Sequence, residues 1–243
     1  MRLFAVAITF VIGVVGNEAR AQQRVDLELV LLADASRSID DGEILFQRQG
    51  YAAAITHPDV LAAISHGYEQ RIAVTYVEWG DAASQEVVVP WTIVDGPESA
   101  EAFAGRLMAA PRLATGPNAI GSALAAAHAL IDGNDIEGTR KVIDFSADSA
   151  YSGGGVPVPM ARAAAISAGI TINGLAILCR DCVSGRPIDY DLESAFTAFI
   201  VGGDGHFVVT ADGDDRFAEA VRRKLILEIA GLTGATSSWD RDG

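Results

Sequence analysis

The feature that most constrains this chain is an alternation. Over residues 25–229, short apolar runs trade places with segments whose apolar residues recur at helical spacing. That order is the signature of repeated βαβ units, in which parallel strands are covered by helices. Residues 25–33 alternate at first, through Val25, Leu27 and Leu29, and then become wholly apolar, as a strand buried on both faces must. Residues 72–79, 142–145, 170–178 and 206–210 read as further strands. Residues 85–89 read as a hairpin partner of the second strand, an antiparallel edge that Pro90 ends. Helical patterns fall between them. Ile44, Leu45, Tyr51, Ala52 and Ile55 follow an acidic start at Asp40 and Asp41; residues 98–109, 120–131, 158–168 and 217–229 supply the others. The expectation is an α/β fold with one doubly wound, mostly parallel six-stranded sheet, one antiparallel edge strand and helices on both faces. An apolar content of 50% suits a sheet covered in this way.

The ends of the chain carry different signals. Met1-Arg2, an apolar run over residues 3–15 and the small-x-small site Ala19-Arg20-Ala21 form a signal-peptide pattern, with cleavage expected after Ala21. The run is short of the ~20 residues that a membrane span requires. No Cys stands immediately after the cut to carry a lipid. The expected organisation is a signal peptide over 1–21, one domain over 22–231 and a flexible tail over 232–243, with export to the periplasm or the exterior. A net charge of −14 opposes nucleic acid and anionic lipid, both of which need clustered Lys and Arg. Binding to nucleic acid and insertion into a membrane are therefore not expected. Cys179 and Cys182 would form a small local disulfide in an oxidising compartment. A redox pair is the alternative, but it wants its first Cys at a helix N-terminus, whereas this pair follows a strand-like run and precedes a Gly-Arg-Pro loop.

Chemistry concentrates where the first strand stops, at Asp34-Ala35-Ser36-Arg37-Ser38. In a doubly wound sheet, ligands bind outside the carboxyl ends of strands near the switch in strand order. A D-x-S-x-S placed there aims one carboxylate and two hydroxyls at a single point. Oxygen-only ligands suit Mg²⁺, Mn²⁺ or Ca²⁺ rather than zinc. The plainer alternative is that Ser36 and Ser38 cap the following helix and Asp34 merely ends a strand.

The run Leu29-Val30-Leu31-Leu32-Ala33-Asp34-Ala35-Ser36-Arg37-Ser38-Ile39 resembles the first strand and metal loop of von Willebrand factor A (vWA) domains. Residues 141–148, 169–177 and 217–225 extend the resemblance to a family of uncharacterised exported bacterial proteins of that superfamily, over essentially residues 25–230. The resemblance implies a metal-ion-dependent adhesion site built from three loops. Asp34, Ser36 and Ser38 match its first loop. Asp148 matches the Asp of its third, with Ser149 where the family usually has Gly. The second loop usually supplies a Thr; counting back from Ala123-Leu124 through Gly121 puts Asn118 at that position, and Thr115 is the alternative donor. The implied cofactor is a divalent cation, Mg²⁺ first and Mn²⁺ or Ca²⁺ next. The implied partner is a protein presenting an acidic side chain, and no catalytic residue is implied.

Other chemistries find little support. His57, His66, His128 and His206 form no i, i+4 pair for zinc. There is no G-x-S-x-G nucleophile elbow. Gly153-Gly154-Gly155 lacks the G-K-[ST] ending of a phosphate loop and reads as backbone passing close beneath the metal loop. Asp144, inside an apolar run, reads as a buried, hydrogen-bonded carboxylate, and Trp79 and Trp91 as core or edge packing. Two further functional readings stay open: a metal-free structural or interaction module, and a metal-dependent phosphoryl-group hydrolase.

Overall fold

The computed structural model describes residues 22–178, 190–212 and 214–231. The expected signal peptide, the Cys179–Cys182 disulfide and the C-terminal tail lie outside the described residues. One six-stranded sheet organises the rest: β1 (Gln23–Asp34), β2 (Ile72–Trp79), β3 (Gln85–Val94), β4 (Ile136–Ala147), β5 (Thr171–Leu178) and β6 (Val208–Asp212). Their order is β3-β2-β1-β4-β5-β6, parallel throughout except for β3, which runs antiparallel to β2 at one edge. The expected α/β class and antiparallel edge are both present.

Side chains on β1 alternate between two cores, as the period of a strand requires. Leu27, Leu29, Leu31 and Ala33 enter one core, with Tyr51 and Ile55 of α1 (Asp41–Ile55), Val60 of α2 (Pro58–Ser65), Phe103 of α3 (Pro97–Ala109) and Phe217 and Leu225 of α7 (Asp214–Ala230). Val30 and Leu32 enter the other, with Ile120 and Leu124 of α4 (Ile120–Asp132), Ala161 of α5 (Val158–Ser167) and Phe196 of α6 (Leu192–Phe199). Burial on both faces explains why this stretch of sequence is apolar without a break.

Three local features depart from the sequence reading. β3 does not end at Pro90 but continues to Val94. Pro90 is tolerated because an edge strand leaves one row of N–H groups unpaired, and the β2–β3 register shifts between Val74 and Tyr76. Thr75 adds a hydroxyl bond to the Val89 carbonyl at 2.8 Å there. β4 begins at Ile136, ahead of the expected residue 142, since its polar first half pairs with the start of β1. Helices α2 and α6 were not expected. Each is short and starts on a side-chain cap, His57 accepting from Asp59 N–H and Asp191 from Ser194 N–H.

The topology decides where a ligand can sit. The chain builds β2 and β3 on one side of β1, then crosses to place β4 on the other. The crevice between the carboxyl ends of β1 and β4 is therefore the switch point. Ala33 pairs with Ser146, which brings the ends of the two strands level and sets Asp34 near the loop that opens with Asp148.

Candidate metal centre

Asp34 closes β1 with no exposed surface. Its Oδ1 accepts the Ser36 N–H at 2.8 Å, so the carboxylate folds the chain back on itself within two residues. The turn brings the Ser36 and Ser38 hydroxyls to 3.2 Å from each other. Asp34 Oδ2 is buried without a hydrogen-bond partner among the described residues, and the same holds for Asp148 Oδ1. Burial raises the Asp34 carboxyl to about 7; the charge of Asp148 pushes the same way, and the Ser36 N–H opposes it. Asp148 is raised as well, by burial first and then by the charge of Glu43.

Each loop is held by bonds from its neighbours. Ala35 N–H donates to the Trp79 carbonyl at 2.8 Å, and Arg37 N–H to the Gly116 carbonyl at 2.8 Å. Gln47, from α1, donates to the Asp34 carbonyl at 3.1 Å. The second loop is anchored twice by arginine. Arg48 makes a bidentate bond to the buried Glu78 at 2.7 and 2.9 Å, and it also donates to the carbonyls of Ala110 and Pro111. Arg112 reaches from the second loop to the first, donating to the Ala35 and Ile39 carbonyls at 3.2 and 2.7 Å. Gly116 has φ +107, and a Cβ there would run into the Asp81 side chain, so glycine serves both the backbone and the close approach.

The residues expected at the site divide as follows. Asp34, Ser36 and Ser38 share one turn, and Asp148, across the switch point, is near enough for its charge to raise the Asp34 carboxyl. Asn118 is half-buried just ahead of α4, and its main-chain carbonyl accepts the Gly153 N–H at 2.6 Å. Thr115 is exposed, with its main chain bonded to the β2–β3 turn through Asp81 and Ser84. The glycine run therefore approaches the second loop and α4 rather than the first loop: a Cβ on Gly155 would lie 2.2 Å from Ser122 Oγ. Asp144 stands apart. It is buried and ion-paired, its Oδ1 2.7 Å from Lys224 Nζ, so the expected hydrogen-bonded carboxylate is half of a core ion pair. Ser149 turns away to Tyr190 and to the Tyr151 N–H.

Sequence reasoning missed Glu43, whose charge raises both Asp34 and Asp148. The signal was available, since Asp40 and Glu43 form a capping box at the start of α1, with bonds of 2.7 and 2.9 Å. Among the described residues no three His, Cys, Asp or Glu side chains form a metal-binding group. The oxygen chemistry that the first and third loops offer is instead mixed, from two carboxylates and two hydroxyls. Two buried carboxylate oxygens without partners, with the charge of Asp148 raising the cost of ionising Asp34, fit the charge and oxygen chemistry of a divalent cation.

A six-stranded sheet in this order, with a D-x-S-x-S turn at the switch point, defines a vWA-type α/β protein. The chain belongs to the family described as "Protein of unknown function (DUF1194)", whose model matches residues 24–233. No curated protein is similar to it. Among solved structures, proximal thread matrix protein 1 from the mussel byssus, with a zinc-occupied MIDAS motif, is 16% identical at a TM-score of 0.59, over 86% of this chain and 49% of that one. The vWF domain of the type V pili tip protein Mfa5 from Porphyromonas gingivalis is 10% identical at 0.57, over 88% and 98%. The pilus adhesin SpaC from Lactobacillus rhamnosus GG is 13% identical at 0.58, over 85% and 30%. The chain thus spans about half the length of the mussel protein and less of the adhesin. At these identities the likeness carries the fold alone. Among the described residues, no helix is long and apolar enough to cross a membrane.

Proposed function

We propose that this protein is an exported recognition module. It holds a divalent cation at Asp34, Ser36, Ser38, Asn118 and Asp148 and uses it to bind an acidic side chain of a partner protein. The observation that carries this reading is the pair of partnerless buried oxygens, Asp34 Oδ2 and Asp148 Oδ1, beside two hydroxyls 3.2 Å apart. When bound, the cation supplies positive charge and an open coordination position for a carboxylate oxygen. Asp34 and Asp148 balance its charge, the Ser36 and Ser38 hydroxyls and the Asn118 amide offer neutral oxygens, and Arg112 holds the first loop in place. An acidic chain can then bind an acidic partner, because a divalent ion inverts the local charge.

The adhesins and byssus protein of like fold support the reading, as does the zinc-occupied motif of the mussel protein, which puts Zn²⁺ beside Mg²⁺, Mn²⁺ and Ca²⁺ in the trial set. Asn118 and Ser149, standing where the superfamily usually has Thr and Gly, favour a second reading, a metal-free interaction module. Thermal melting of the full chain decides between the two. A bound cation should stabilise by about 2.7–4.1 kcal/mol at 100–1,000 times its dissociation constant. Asp34→Ala and Asp148→Ala should each abolish the response. No shift with any of the four ions at millimolar concentration supports the metal-free module.

A further inference from the structure

Beside the third loop lies a groove of about 620 Å³ whose walls are aromatic. Tyr151 is 72% exposed, Phe199 65% and Tyr190 41%, with Ala195 and Ala198 between them. Single exposed apolar residues are ordinary, but a contiguous group of them marks a place where something binds.

The groove adjoins the loop that carries Asp148. Ala150 lines it and stands two residues from Asp148, so their Cα atoms are within ~7 Å of each other. The Tyr190 hydroxyl accepts the Ala150 N–H at 3.0 Å, and Ser149 Oγ accepts the Tyr151 N–H at 3.1 Å. The aromatic wall is thereby bonded to the loop that carries Asp148.

Charge narrows the occupant. Among the described residues Asp191 is the one charged residue lining the groove, and its carboxylate is committed to the start of α6, accepting from Ser194 N–H at 3.0 Å and from Ser194 Oγ at 2.7 Å. Among the described residues no basic side chain lines it, so these walls offer nothing to phosphate or a lipid headgroup. An apolar side chain is.

We propose that this groove seats an aromatic or large aliphatic side chain of a partner protein, carried within a few residues of the acidic side chain that reaches the metal centre. This rests on the metal-centre reading and adds a rule for the partner: an acidic residue close in sequence to a large apolar one.

The test uses the full chain in millimolar Mg²⁺ and fluorescent Gly/Ser peptides carrying one Asp with one Phe a few residues to either side. Control peptides replace the Phe by Ser or the Asp by Asn. Fluorescence anisotropy should show Asp–Phe peptides binding about tenfold tighter than their Asp–Ser counterparts, or ~1.4 kcal/mol. Phe199→Ser should erase that preference while leaving the affinity for Asp–Ser peptides and the Mg²⁺ shift in Tm unchanged. Equal affinity with and without Phe, a preference that survives Phe199→Ser, or binding of no peptide overturns the proposal. So does a dimer that Phe199→Ser dissolves, because the groove would then be filled by a second copy of the chain. A Phe preference that persists in chelator, with no Mg²⁺ shift in Tm, overturns the metal-centre reading and upholds the groove.

Discussion

The guanidinium of Arg112, on the second loop, donates to the carbonyl of Ile39, which closes the first, over 2.7 Å. The same group reaches the Ala35 carbonyl at 3.2 Å and the Asp41 carboxylate at 2.7 Å, so one side chain spans both ends of the D-x-S-x-S turn. Arg112→Ala should cost about 1–3 kcal/mol through the carbonyls it leaves unpaired. It should also weaken Mg²⁺ by about tenfold, since the loosened turn must be ordered again on binding. Isothermal titration and chemical denaturation of the one variant measure both effects. Lost stability with unchanged metal affinity would mean that Arg112 serves the fold alone.

The second loop offers two candidate oxygens. Asn118→Thr should leave metal affinity equal or higher, Asn118→Ala should lower it, and Thr115→Ala should matter little. Thr115 is exposed and its loop is held through the main chain, so its truncation should also leave Tm unchanged. If Thr115→Ala alone destroys binding, the hydroxyl comes from Thr115.

Stability of the metal-free protein should fall as pH rises. Asp34 is raised from 3.8 to about 7 and Glu228 from 4.5 to about 7, both chiefly by burial. A carboxyl with a raised folded pKa holds its proton in the fold after the unfolded chain has released it. Its favourable contribution is therefore complete below the unfolded value and is lost up to about pH 7. The two together should remove on the order of several kcal/mol between pH 4 and pH 7, at ~1.4 kcal/mol per unit. Saturating Mg²⁺ should offset the Asp34 part, because it binds the ionised carboxylate. Melting curves across that range, with and without Mg²⁺, check the sign. A Tm that climbs toward neutrality in metal-free buffer contradicts it.

The core holds a second acidic arrangement. Lys224 Nζ, fully buried, lies 2.7 Å from Asp144 and 2.5 Å from Glu228, whose Oε1 also accepts from Asn173 at 3.0 Å. Lys224→Met should cost about 3–5 kcal/mol by stranding two buried carboxylates. Glu228→Gln, which leaves one cation facing one anion, should be neutral or stabilising at pH 8. Guanidinium denaturation of the two variants separates them, and equal losses would show that the cluster works as a unit.

Much of this was legible from residue order alone. Apolar runs without a break could belong only to strands covered on both faces, so the parallel sheet and its central strand were written in composition and spacing. The D-x-S-x-S turn was equally local, because a carboxylate that accepts the N–H two residues on needs nothing from the rest of the chain. Family likeness added Asp148 and the second loop, which spacing by itself left open.

What only the tertiary structure decided are the relations between distant segments. Pro90 sits inside a strand because that strand is an edge, and edge status depends on which strands pair. Glu43, Arg48 and Arg112 look like ordinary surface charges in the sequence, yet packing commits Arg48 to Glu78 and the second loop, commits Arg112 to the first loop, and lets the charge of Glu43 act on Asp34 and Asp148. Lys224 reads as one member of a basic patch, but the packing of α7 against β5 and β6 buries it against Asp144. The chain itself determined the alternation of strands and helices and the local turn, since those follow from side-chain period and short-range hydrogen bonds. The approach of the first and third loops needed the crossover at the switch point, because that topology brings Asp34 and Asp148 together from distant parts of the sequence.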